Sequence, residues 1–70
     1  MTSKFSERLI RLRKEKGLSQ IALAKEIGIS SRAYQEYEYE KSEPMMSNLV
    51  RIADIFDVSL DYLTGRTDTP

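Results

Sequence analysis

Residues 20–39 read QIALAKEIGISSRAYQEYEY, and their order of small, apolar and polar positions sets the architecture of the chain. Ala24 is small, and Gly28 follows it four residues later. Leu23, Ile27, Ile29, Tyr34 and Tyr37 supply apolar positions around them. This spacing predicts two short helices, 20–27 and 31–39, crossing steeply at a tight turn. A residue as small as Ala24 lets two backbones approach, and Gly28 supplies the positive φ that ends the first helix. Ser19 and Ser30 stand where side-chain N-caps are needed.

The flanking sequence continues the helical pattern. Phe5, Leu9 and Leu12 recur at helical spacing and predict a helix over 4–16, capped by Ser3 and ended by Gly17. Lys14 and Lys16 suit its last turn, and Leu18 then enters the core. Residues 40–45 form a polar loop with Pro44. Leu49, Ile52, Ala53 and Phe56 line a helix over 46–56. Ser59 caps a last turn over 60–64, which Gly65 ends. No stretch alternates as a strand does. The expected fold is all-α, five helices in one domain spanning 1–70, with its core over 5–65 and a loose polar tail at 66–70.

Composition narrows the chemistry. Seventy residues make one small domain, at a size where core burial alone is marginal. Cys and His are both absent, which removes disulfides, thiolate metal sites and the commonest general base. With no Gly-rich phosphate loop either, catalysis has no basis, and no cofactor or metal is expected. No apolar run approaches the length of a membrane span, and no secretory signal stands out. The expectation is a soluble cytoplasmic protein, not an enzyme, with no evident small-molecule site.

Net charge is zero, but it is unevenly spread. Residues 1–35 hold eight basic and three acidic side chains, +5, and residues 36–70 hold three basic and eight acidic, −5. The first half is suited to face phosphates, or the two halves pair with each other.

Two helices crossing at a Gly turn have the layout of a DNA-binding helix-turn-helix, whose second helix enters the major groove. The chain also resembles a family. Leu12-Arg13, Gly17-Leu18-Ser19-Gln20, Leu23-Ala24, Ile27-Gly28-Ile29-Ser30, Tyr37-Glu38, Lys41, Pro44, Leu49, Ile52-Ala53 and Val58-Ser59-Leu60-Asp61-Tyr62-Leu63 are similar in order and spacing to the Cro/C1-type, Xre-like phage-repressor family. The match covers about residues 5–65. It implies a lambda-repressor-like five-helix domain of bacterial or phage origin that binds double-stranded operator DNA as a homodimer and regulates transcription, as a repressor.

The resemblance also places site residues. Gln20, at the start of the second helix, would grip a phosphate, or be an ordinary solvated first-turn residue. Ser31, Arg32, Gln35 and Glu36 would face outward on the recognition helix, opposite Tyr34 and Tyr37. Arg32 would read guanine, Gln35 adenine or a phosphate, and Ser31 a base or a phosphate. Ser30 would lie close to the DNA backbone. Glu36 would accept from cytosine, or pair with Arg32 one turn away. Arg13 and Glu38 match a structural ion pair of the family, with a phosphate contact from Arg13 as the alternative. Lys41 matches a loop Lys that approaches the DNA backbone. Tyr39 would bond a phosphate or pack over the loop.

Three positions depart from the family pattern. Glu40 stands where Gly usually precedes the loop Lys, so the helix must end with strain or end differently. Met45 replaces a common capping Ser. Glu36, Glu40 and Glu43 bring acid near the expected DNA face. These acids, with outward apolar Ile10, Ile21, Met45 and Met46, support a competing reading: a protein-interaction module, antitoxin- or adaptor-like, on the same fold. Dimer contacts are expected from the last two helices and the tail, through Val50, Leu60 and Tyr62.

Overall fold

The computed structural model describes residues 4–70. Its elements are α1 (Lys4–Glu15), α2 (Gln20–Ile27), α3 (Ser31–Glu38), α4 (Met46–Phe56) and α5 (Leu60–Thr64). The expected Ser3 cap lies outside the described residues. Three helices have the bounds read from the sequence. α1 and α3 each stop one residue earlier than expected, a difference within the fraying of any helix end.

Serine hydroxyls begin three of the helices. Ser19, Ser30 and Ser59 accept hydrogen bonds from the backbone N–H groups of Ala22, Ala33 and Tyr62 at 3.0, 3.1 and 2.9 Å. Met45, at the corresponding position of α4, gives no side-chain cap. Such caps contribute roughly 1 kcal/mol each, so α4 depends more on packing than its neighbours do.

Every helix ends on a residue with positive φ: Gly17, Gly28, Glu40, Asp57 and Gly65. In each case the next amide returns to a carbonyl five residues back, as in Lys41 N–H to Glu36 O at 2.9 Å and Val58 N–H to Ala53 O at 3.0 Å. Asp tolerates this left-handed region better than most residues, but Glu does not, so Glu40 at φ 61° holds its turn against a cost of about 1 kcal/mol. Of the two outcomes open to Glu40, the chain takes the strained one. At Gly65 the limit is space as well as φ, since a Cβ there would meet Lys4 Cβ at 2.7 Å. The end of α5 is thereby seated on the start of α1.

The core is built from Leu9 of α1, Leu23 and Ile27 of α2, Tyr34 of α3, Ile52 of α4 and Leu63 of α5, all essentially inaccessible to solvent. Ala24 of α2 is buried as well. Phe5 and Tyr34 both meet Tyr37 edge to face, at 6.1 and 6.4 Å. Arg51 of α4 donates to Ile27 O at 3.0 Å, satisfying an otherwise open carbonyl at the turn between α2 and α3.

Three expectations are corrected. Tyr62 is not available to a dimer surface: it is 8% exposed, with the Arg8 guanidinium 4.2 Å above its ring. The segment 66–70 is not a loose tail. Arg8 donates to Tyr62 O, to Thr67 O at 2.5 Å and to Asp68 at 2.6 Å, and Ser59 N–H donates to Pro70 O at 3.0 Å. Polar composition suggested a free end, but the Arg8 guanidinium of α1 bonds the Thr67 carbonyl and the Asp68 carboxylate. Ile10 is half-buried rather than outward. Among the described residues no helix is long and apolar enough to cross a membrane.

Candidate nucleic-acid interface

α3 has two faces of different character. Its inner face carries Tyr34, Tyr37 and Glu38, all buried. Glu38 is a charged side chain only 3% exposed, and it is fully engaged. Arg13 reaches it with Nε at 2.7 Å and Nη2 at 3.4 Å, and also donates to Leu18 O at 3.0 Å. The Tyr34 hydroxyl donates to Glu38 Oε2, and Gln20 Nε2 donates to Oε1 at 2.9 Å. Three side chains, one each from α1, α2 and α3, thus converge on one carboxylate.

The electrostatics follow from that geometry. Burial alone would raise the Glu38 pKa, but the hydrogen bonds from Arg13, Tyr34 and Gln20 outweigh it and hold the carboxyl below its ordinary value. The Glu38 hydrogen bond raises Arg13 against the opposing effect of burial. Burial, reinforced by the neighbouring carboxylate, pushes the Tyr34 hydroxyl far above the usual tyrosine range. At neutral pH the junction therefore holds one cation, one anion and a neutral phenol that donates. Because no buried side-chain nitrogen or oxygen among the described residues lacks a hydrogen bond, the angle between α1, α2 and α3 is held by directional bonds as well as by apolar packing.

Gln20 is neither solvated nor idle. While its Nε2 donates to Glu38, its Oε1 accepts from Gln35 Nε2 at 3.3 Å. The structure thus brings together Gln20, Gln35, Glu38 and Arg13. Sequence reasoning treated Gln20 and Gln35 separately and read Tyr34 as an apolar ring. The Tyr34–Glu38 spacing of one helical turn was the available signal for the hydroxyl contact. No signal in the sequence marked Arg51 as the residue that closes the α2 terminus.

The outer face is sparser. Arg32 is exposed, Ser31 and Glu36 are half-buried, and Ser30, Tyr39 and Lys41 are exposed beside them. Tyr39 is 58% exposed. Among the described residues Arg32 forms no ion pair, so the one-turn pairing with Glu36 is not made. A cavity of about 340 Å³ lies elsewhere, lined by Lys4, Glu7, Arg8, Arg11, Tyr62 and Asp68, with no contribution from α3.

An amphipathic α3, set at a Gly turn against α2 and leaving polar side chains outward, is the geometry of a helix-turn-helix. Residues 9–63 match that family. The chain belongs to the Cro/C1-type helix-turn-helix family of transcriptional regulators. It is 46% identical over 66 residues to the cryptic phage CTXphi transcriptional repressor RstR of Vibrio cholerae, a match covering 94% of this chain and 59% of the repressor. It is 42% identical over 66 residues to the uncharacterized HTH-type transcriptional regulator YobD of Bacillus subtilis, with the same two coverages. The chain therefore spans about 59% of the length of these relatives. Among solved structures, the P22 c2 repressor in complex with a synthetic operator superposes with a TM-score of 0.80, at 34% identity, over 84% of this chain and 89% of the repressor chain. A transcriptional regulator from Listeria innocua superposes at 0.85, with 32% identity, over 93% of this chain and 61% of its own.

Proposed function

We propose that this domain binds a two-fold operator sequence as a pair of copies, with α3 of each copy in the major groove, and represses transcription there. The observation that carries the reading is the division of α3. Its inner face is locked to α1 and α2 through Glu38, while Arg32 is exposed and forms no ion pair among the described residues. Arg32 is the base reader, because guanidinium bonds bidentately to the O6 and N7 acceptors of guanine. Ser31 and Gln35 stand beside it as base or phosphate contacts. Ser30, Tyr39 and Lys41 form a rim suited to phosphates. Glu36 accepts from cytosine N4 when its neighbour is a G·C pair. One domain covers too little DNA for useful specificity, which argues for two half-sites. Val50 and Leu60, 39% and 41% exposed, offer the apolar contact between copies.

Selection of bound duplexes from a randomised pool, at low and at physiological salt, tests the proposal. A palindrome with half-sites about one helical turn apart is the expected result. Arg32→Ala should lose that selectivity while remaining folded. Absence of enrichment at either salt, with the protein folded, would overturn the reading. It would favour the protein-interaction module, for which exposed Met45 and Met46 provide a surface.

A further inference from the structure

Lys4, Arg8 and Arg11 recur along α1 at the spacing of one helical face. Like charges so placed repel one another, and a shared anion relieves that repulsion. Tertiary packing sets Tyr62 of α5 and Asp68 against the same face, around a cavity of about 340 Å³. A water molecule takes roughly 30 Å³, so this space suits a small organic molecule better than a bare ion. Its lining carries three cations, Lys4, Arg8 and Arg11, against two carboxylates, Glu7 and Asp68.

Asp68 shows what these cations select. Its carboxylate sits 2.6 Å from Arg8 Nη2 while its side chain stays 88% exposed. Exposed pairs of this kind contribute about 0–1 kcal/mol, so an anion with more contacts displaces it. Arg8 itself is held in place, because its guanidinium also donates to Tyr62 O and Thr67 O and lies over the Tyr62 ring. Lys4 and Arg11 are exposed and form no ion pair among the described residues. Three cations on one face suit three acceptor oxygens, which a phosphate monoester has and a carboxylate lacks. At neutral pH such a phosphate carries about −1.5 to −2, which complements the two-cation excess left when Asp68 departs. Glu7, when ionised, only accepts hydrogen bonds, so the organic body beside it must donate, as hydroxyls do.

We propose that the cavity between α1 and α5 binds a small polyol phosphate, with its phosphate on Lys4, Arg8 and Arg11 in exchange for Asp68 and a hydroxyl on Glu7. No residue of α3 lines the cavity, so this site stands independently of the DNA reading.

Titration of the folded domain with ribose 5-phosphate, followed through backbone amide resonances, tests the proposal. Saturable shifts are expected at residues 4–11 and 62–68, with none of comparable size in α3. Arg11→Gln should weaken binding roughly five- to tenfold while leaving the melting temperature unchanged. Asp68→Asn removes the competing carboxylate and should strengthen binding about two- to fivefold. Arg32→Ala should bind the ester as the parent does. Inorganic phosphate and succinate should each bind more weakly than the ester. The proposal is overturned by the absence of saturable shifts, by shifts centred on α3, or by undiminished binding in Arg11→Gln. Weaker binding in Asp68→Asn would overturn it as well, as would inorganic phosphate or succinate binding as tightly as the ester.

Discussion

Arg8 and Arg13 lie on the same helix, are about equally buried at 12% and 13% side-chain exposure, and each pairs with a carboxylate, yet the two pairs do different work. Glu38, the partner of Arg13, is 3% exposed, whereas Asp68, the partner of Arg8, is 88% exposed. In the first pair both charges are withdrawn from water, and each is tolerable only because the other is present. In the second, one charge keeps its hydration, and the arginine contributes mainly through backbone carbonyls and the Tyr62 ring. Burial of the partner, more than distance, separates an ion pair that orients a helix from one that fastens a chain end. The pairs also join the basic first half of the chain to its acidic second half. The opposite charges of the two halves are therefore partly spent within the domain.

The comparison breaks most visibly at Arg13. Arg13→Met should destabilise by about 3–5 kcal/mol, since it strands Glu38 in the interior. Chemical denaturation would register this as a lower midpoint, and a loss under 1 kcal/mol would mean that Glu38 is hydrated rather than buried. The same pair predicts an acid transition. The folded Glu38 pKa lies below its ordinary value of 4.5, so its contribution is present above pH 4.5 and disappears as the pH falls through the lower, folded value. Melting temperature should therefore drop steeply below pH 4.5 in the parent and in Asp68→Asn alike; an acid transition that vanished in Asp68→Asn would assign it to the wrong carboxylate.

Arg8→Met should cost less, about 1–2 kcal/mol, because Tyr62 O keeps the Gly65 N–H at 3.1 Å and Asp68 returns to water. Hydrogen exchange would show the change at residues 61–68 before it appeared in α3. Asp68→Asn should fall within about 0.5 kcal/mol of the parent, as expected for an exposed pair, and thermal melting resolves that bound. Arg32→Ala should change stability least, within about 0.5 kcal/mol, since Arg32 is exposed and forms no ion pair among the described residues. A larger loss would place Arg32 in the scaffold and remove it from the proposed DNA face.

Helix content was largely legible in the chain because its causes are local. Apolar spacing near 3.6 residues, a Ser before each of three helices and a Gly after three of them act over three to five residues, so composition and order suffice. Glu40 and Asp57 were harder, because they perform a glycine's task without being glycine. The family resemblance extended this reading to Arg13, Glu38 and the outward residues of α3, but it left the contacts of Gln20 with Glu38 and Gln35 unmarked.

What remained hidden depends on residues distant in sequence meeting at bonding distance. Gln20 and Gln35 are 15 residues apart, Arg51 and Ile27 24, and Arg8 and Asp68 60. A long polar side chain has several partners within reach, and its choice among them is made only when packing has excluded the others. The order of residues was enough for five helices, their caps and a helix-turn-helix, because hydrogen bonds within a turn and burial of one helical stripe depend on neighbours alone. That Tyr62 is covered, that Arg8 of α1 bonds Thr67 and Asp68, and that one buried carboxylate is met by Arg13, Tyr34 and Gln20 followed from the crossing of helices. The physical reason is that hydrogen bonding is directional and short in range, so distant partners are chosen only once the backbone has brought them together.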